Sequence, residues 1–194
     1  MRCARRWAWR EAFFLLTGCS GSGKSTLLDA LAAEGMATVP EPGRRLVAQA
    51  LAGDGKGLPW DDPKGFAERA IALALDDWHA AQALRGPVVF DRGLLDAIAA
   101  YEHVTGALPP QAQTLGACYN PQVFVAQPWP AIFATDAERQ HDFDAALAEY
   151  HRLIAFLPRF GYRALPLPEA PVADRVTFVR AVLAQQNPPG VPAG

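Results

Sequence analysis

Cysteine, net charge and long hydrophobic runs are all scarce in this chain, and each shortage removes a class of protein. Its three cysteines, Cys3, Cys19 and Cys118, are odd in number and unpatterned, which excludes a disulfide framework and a cysteine zinc site. The histidines (His79, His103, His141 and His151) have no metal-ligand spacing. A formal net charge of −2 lacks the basic surplus that a broad nucleic-acid footprint needs. The N-terminus is basic and aromatic rather than apolar, with no small-residue cleavage site, so no signal peptide and no membrane anchor are expected. The expected compartment is the cytoplasm. There is no internal repeat, heptad pattern or collagen-like period. What remains is a chain of 194 residues, 51% apolar and 20% charged, enough for one domain with a full-sized core.

Gly18-Cys19-Ser20-Gly21-Ser22-Gly23-Lys24-Ser25 reads G-x-x-x-x-G-K-S, the phosphate-binding loop of an NTP-using protein. Glycines let the backbone curl so that successive N–H groups face β- and γ-phosphate oxygens. Lys24 can reach the same phosphates as a point charge. Ser25 offers a hydroxyl to Mg²⁺, and the positive end of a helix opening near Thr26 adds to the field. Nucleotide-binding candidates are therefore Gly18, Ser20, Gly21, Ser22, Gly23, Lys24, Ser25 and Thr26, with ATP and Mg²⁺ as the expected cofactors. The context is the required one: an apolar run, 12–17, precedes the loop, and a helix-favouring stretch, 26–34, ends at Gly35.

Further strands are expected at 36–39, 87–93, 122–125 and 162–167, the last weakened by its proline. Between them helices are expected from the stretch 40–45 to Leu51, from about Pro63 to Arg85 behind an Asp62 cap, and from Leu94 to His103. Another should start at the capping-box spacing Thr135-Asp136-Ala137-Glu138 and run towards Leu157, and the last should span Val172 to Gln185. Alternating strands and helices imply an α/β fold, about five parallel strands with helices on both faces, the three-layer sandwich of P-loop NTPases. The expected organisation is an extension over 1–11, one domain over 12–186 with a lid near 127–143, and a Pro/Gly-rich tail over 187–194.

In open α/β sheets the ligand sits beyond the carboxyl ends of the strands, so polar residues there are the first candidates. Glu41 ends the second strand and can act as a base toward an attacking hydroxyl or hold magnesium through water. Its plainer role is to cap the next helix and pair with Arg44, which otherwise suits a phosphate or a substrate carboxylate. Asp91 ends Val88-Val89-Phe90 in the Walker-B manner and can order the Mg²⁺ shell with Ser25, while Arg92 follows it toward the reacting phosphate. The roles of Glu41 and Asp91 are interchangeable at this level. Arg139, beyond the fourth strand, can close over the nucleotide as a lid arginine, or simply pair with Asp136 or Asp142. Trp60 and Trp129 can line a substrate pocket by stacking, or pack at its rim.

The segments GCSGSGKSTLLDAL, EPGRR, LPWDDPKGFAER, VVFDRG and PWP…DAERQHDF together resemble the AAA-type ATPase domains related to the ribosylnicotinamide kinase half of a bacterial NAD-regulating protein. The likeness runs from about Phe13 to Val182, and the same layout resembles deoxynucleoside kinases. It implies Mg-ATP use and phosphoryl transfer to a small hydroxyl-bearing acceptor, by a monomer or homodimer; it does not carry the acceptor's identity. Two other classes compete. A GTPase switch should have the guanine-reading N-K-x-D, which is missing, and Asp54-Gly55-Lys56-Gly57 follows no buried strand. A motor or partner-activated ATPase should have a large helical region after the sheet, for which little length is left.

Overall fold

A computed structural model of the chain describes residues 10–133 and 142–186. Five strands, β1 (Phe13–Gly18), β2 (Ala37–Val39), β3 (Val88–Asp91), β4 (Gln122–Ala126) and β5 (Arg163–Pro166), form one parallel sheet in the order β2-β3-β1-β4-β5. The helices are α1 (Lys24–Ala33), α2 (Pro42–Ala52), α3 (Pro63–Ala81), α4 (Leu94–Thr105), the short α5 (Ala112–Leu115), α6 (Phe143–Phe156) and α7 (Val172–Gln186).

Side-chain alternation along the central strands divides the core. Phe13 and Leu15, with Val88, Phe90, Val123 and Val125, face Trp78 of α3, Ile98 of α4 and Phe156 of α6. Phe14 and Leu16, with Val89, Phe124 and Ala126, face Leu27 and Leu31 of α1 and Val179 and Leu183 of α7. Because β1 is covered on both faces, every one of its residues is buried and its sequence reads as a continuous apolar run. Pro166 ends β5 at the sheet edge, where a missing N–H costs no ladder bond.

Several helix boundaries depart from expectation, α4 for one running on to Thr105. Helix α3 stops at Ala81, four residues before Arg85, because the chain tightens into i→i+3 bonds: Ala83 N–H donates to Ala80 at 3.2 Å and Leu84 to Ala81 at 3.0 Å. The helix expected from Thr135 has its body from Phe143, where the Asp142 side chain caps it by accepting from the Ala145 N–H at 2.9 Å. The capping-box residues 135–138 lie outside the described residues. The N-terminal extension expected over 1–11 is held at its end, since Arg10 donates to the Tyr119 carbonyl at 3.1 Å and Glu11 accepts from Asn120 at 3.4 Å.

Leaving β1 the chain moves toward β2, and leaving β4 it moves toward β5, so the topology reverses beside the carboxyl end of β1. Gly18 marks that point at φ +114°, a conformation side chains avoid, and an added Cβ would run into the Ala126 backbone, 2.7 Å from its nitrogen. Gly18→Ala is expected to cost about 3 kcal/mol or more, read as a fall in urea midpoint, whereas Gly35→Ala, with φ +82° but open space around it, should cost about 1 kcal/mol.

Candidate active site

Hydrogen bonds within the chain hold the phosphate loop in shape. Cys19 N–H donates to the Ala126 carbonyl at 2.8 Å, tying the loop to β4, and the Ser22 hydroxyl donates back to the Cys19 carbonyl at 2.5 Å. Gly21 and Gly23 both take φ 76°, which turns the backbone into the first turn of α1. The helix therefore starts at Lys24, two residues earlier than the sequence reading. Lys24 is buried, its ammonium donating to the Cys19 carbonyl at 2.7 Å and the Gly18 carbonyl at 3.4 Å. Burial and then Arg92 lower its pKa, against the nearby Asp91, Glu41 and Glu149.

Asp91 stands on the neighbouring strand. Its Oδ2 accepts from the Ser25 hydroxyl at 3.1 Å, while Oδ1 is buried with no hydrogen bond. Burial and the charge of Glu41 raise its pKa. A hydroxyl beside a carboxylate with an unsatisfied oxygen is a donor set that suits a divalent cation or its water shell. Among the described residues no three His, Cys, Asp or Glu side chains group as metal ligands, so these two residues suit an ion whose other ligands are phosphate and water.

Arg92 links the rest. Its backbone takes φ 57°, the left-handed region that non-glycine residues seldom occupy, fixed by its N–H donating to the Leu16 carbonyl at 2.8 Å. The guanidinium points into a group of acids: Nη1 donates to Glu149 at 2.8 Å and lies 3.6 Å from Asp96, and Nε lies 3.3 Å from Glu41. Burial opposes its charge, but Glu149, Glu41, Asp96 and Asp91 outweigh that and raise its pKa above the ordinary arginine value. Glu41 itself makes no side-chain cap on α2, although it occupies the cap position. Asp96 accepts from the Thr17 hydroxyl and from the Gly93 N–H at 3.1 Å, and burial pushes its pKa up to about 6 despite Arg92.

Two concave spaces meet here. A groove of about 510 Å³ follows the loop, lined by Gly21, Gly23, Lys24, Ser25 and Thr26 and continuing past Trp129, Pro171, Val172 and Arg175. A cavity of about 630 Å³ lies on the other side, with Val47, Trp60, Phe66 and Ala97 as its apolar wall and Ser20, Arg92, Glu149 and Arg152 among its polar groups. Glu41 and Arg44 line both. Of the residues expected from sequence, Trp60 thus belongs to the cavity and Trp129 to the groove, Ser20 faces the cavity, and Gly18 and Ser22 underlie the loop. Arg139 lies outside the described residues.

Asp96, Glu149, Arg152 and Arg175 were not anticipated. Asp96 could have been picked out as an acid in the first turn of a helix, and Glu149 and Arg152 as a charged i,i+3 pair. Arg175 carries a signal of the opposite kind, a cation near a helix N-terminus where the dipole disfavours it.

Residues 13–175 match the family described as AAA domain. Among solved structures, thymidylate kinase from Ehrlichia chaffeensis is similar at 18% identity and a TM-score of 0.55, over 89% of this chain and 98% of that one. Shikimate kinase from Acinetobacter baumannii in complex with shikimate is similar at 14% identity and the same TM-score of 0.55, over 95% and 99%. At these identities the likeness is one of fold, that of a P-loop kinase. No curated protein matches the chain in sequence. No described helix is long and apolar enough to cross a membrane.

The raised carboxyl at Asp96 makes stability depend on pH. A group whose folded pKa, about 6, exceeds its ordinary 3.8 binds more protons when folded, so its contribution is full at low pH and lost as pH rises toward 6. Asp96→Asn keeps one of the two acceptor oxygens that Thr17 and Gly93 use and loses the other at every pH, so against that constant offset it should gain on wild type between about pH 4 and pH 7, by on the order of 2 kcal/mol, and level off above. Urea unfolding at both ends of that range measures the difference; a gap that narrows with rising pH would contradict it.

Proposed function

Because the chain belongs to the AAA domain family, we propose that it uses Mg-ATP to phosphorylate a small hydroxyl-bearing molecule. One observation carries this reading: Glu41 stands where the phosphate groove and the larger cavity meet. A machine that only hydrolyses or senses a nucleotide has no need of a second, largely apolar cavity opening onto the same carboxylate. The kinase names of the two similar structures support the same class.

In this reading the loop amides and Lys24 hold the β- and γ-phosphates, and Ser25 and Asp91 hold Mg²⁺, which offsets phosphate charge when bound. The acceptor lies against Trp60, Phe66 and Val47 with its hydroxyl toward Glu41. The hydroxyl oxygen forms a bond to the γ-phosphorus as the bond to the ADP oxygen breaks, the electron pair leaves with ADP, and the proton passes to Glu41. Arg92 keeps the Glu41 carboxylate in position and adds positive charge beside the transferred group. Arg44, shared by both spaces, bridges phosphate and acceptor, and Arg139 supplies a further positive charge as a lid arginine.

The test is ADP release from Mg-ATP with and without pooled nucleosides, sugars, amino-alcohols and ribosylated vitamins. One pool should raise turnover many-fold, and Glu41→Gln should lower that stimulated kcat by about 100-fold or more while leaving ATP affinity nearly unchanged. Turnover indifferent both to acceptors and to Glu41 would instead favour a regulatory switch or a partner-activated ATPase. With the responsive pool in hand, Trp60→Ala should raise the acceptor KM on the order of 10-fold without lowering Tm, since Trp60 is 45% exposed and holds no core position.

A further inference from the structure

Arg175 is a second arginine of the site, more deeply buried than Arg92, and its surroundings are the reverse. It sits in the first turns of α7, is 4% exposed, and donates through Nη1 to the Ser22 carbonyl at 3.1 Å. Its Cζ lies 6.0 Å from the centre of the Trp129 ring. Nε is buried without a hydrogen bond, and among the described residues no carboxylate pairs with the guanidinium. Burial lowers its pKa. The N-terminal end of α7 adds further repulsion. A fold does not gain from a charge held this way, and Met or Leu would fill the space at less cost.

An arriving anion removes the anomaly. Arg175 lines the phosphate groove together with Lys24, Ser25 and Thr26. The side chain packs closely over Gly23, where an added Cβ would stand 3.0 Å from Nη1. Its place along the groove selects the phosphate. Glu41 marks the end of the groove that opens into the cavity, so the transferred phosphate lies there, beside Lys24 and the Ser25–Asp91 pair. Trp129, Pro171 and Val172 form the apolar end suited to the base. Arg175 stands between the two, its Nη1 on the Ser22 carbonyl of the loop at 3.1 Å and its Cζ 6.0 Å from the Trp129 ring. We infer that Arg175 binds the α-phosphate of the nucleotide and, through Ser22, couples its arrival to the phosphate loop. This inference rests on the nucleotide groove of the reading above.

Calorimetric titration of wild type and Arg175→Met with ADP, AMP and adenosine tests it. The variant should bind ADP and AMP about 10- to 100-fold more weakly, bind adenosine as wild type does, and melt without ligand at an equal or higher temperature. Equal losses for adenosine and the phosphorylated ligands, with a lower unliganded Tm, would make Arg175 a packing residue and overturn the inference. A loss for ADP with none for AMP relative to adenosine would overturn the α-phosphate assignment. Arg175→Gln, which keeps a donor for Ser22 but no charge, gives the same comparison if the Met variant does not fold, and an unchanged ratio of AMP to adenosine affinity in it overturns the inference. Wild type that binds none of the three would remove the nucleotide reading itself, and this inference with it; wild type that binds ADP no better than the variants removes only the inference.

Discussion

The arrangement of the candidate site depends on one guanidinium buried among acids. Arg92 follows β3, and the carboxylates around it come from elsewhere: Glu41 from the start of α2, Asp96 from α4 and Glu149 from α6. Each acid alone would pay to leave water, and three together would repel one another. Arg92 offsets both costs, and the low-dielectric surroundings make the attraction strong. The left-handed backbone at φ 57° is what turns the side chain back toward the loop instead of letting it continue outward with β3. Losing the guanidinium would leave like charges facing each other, and the elements carrying them would separate. The geometry of Glu41 is therefore set by a residue some fifty positions away, which in turn is held by an acid on α6.

Asp91 and Asp96 illustrate how a short stretch serves two ends. Asp91, the last residue of β3, faces the Ser25 hydroxyl with one oxygen unsatisfied. Asp96 faces inward, where Thr17 and the Gly93 amide use both of its oxygens. One carboxylate is left available and the other is consumed in fixing the turn between strand and helix. The difference comes from local geometry: the strand end points Asp91 at the Ser25 hydroxyl, and the third helical position points Asp96 back at the turn.

How much of this was legible in the sequence follows from the range of the interactions. The phosphate loop is written in adjacent residues, because its backbone geometry is local, and the strand–loop–helix context sits on either side of it. The buried strands announce themselves as apolar runs, since both faces of the sheet are covered. Glu41 and Asp91 could be read as strand-end acids because a parallel sheet gathers such ends at one edge. The Glu149 partner of Arg92 could not, because α6 reaches the site only through packing across more than fifty residues of chain. Arg175 is farther still, 153 residues from Ser22. The end of α3 escaped for a different reason: a tightened turn closes it early, a choice that tertiary packing decides.

The site is also electrically lopsided in a way that matches two different ligands. On the cavity side, Arg92 is matched and more than matched by Glu41, Asp96 and Glu149. On the groove side, Lys24 and Arg175 are buried against backbone carbonyls, which are dipoles and not counter-ions. Both cations have lowered pKa values, principally because of burial. Lys24 has Asp91, Glu41 and Glu149 nearby, whereas Arg175 brings to the groove a positive charge that no carboxylate among the described residues pairs with. A polyphosphate entering that groove supplies the missing negative charge, so its binding is favoured by the relief of a cost already incurred in folding. The cavity side has no such deficit and can accept a ligand chosen by shape. That division, charge completed on one side of Glu41 and apolar contact offered on the other, is the physical basis for reading the two spaces as one reaction site.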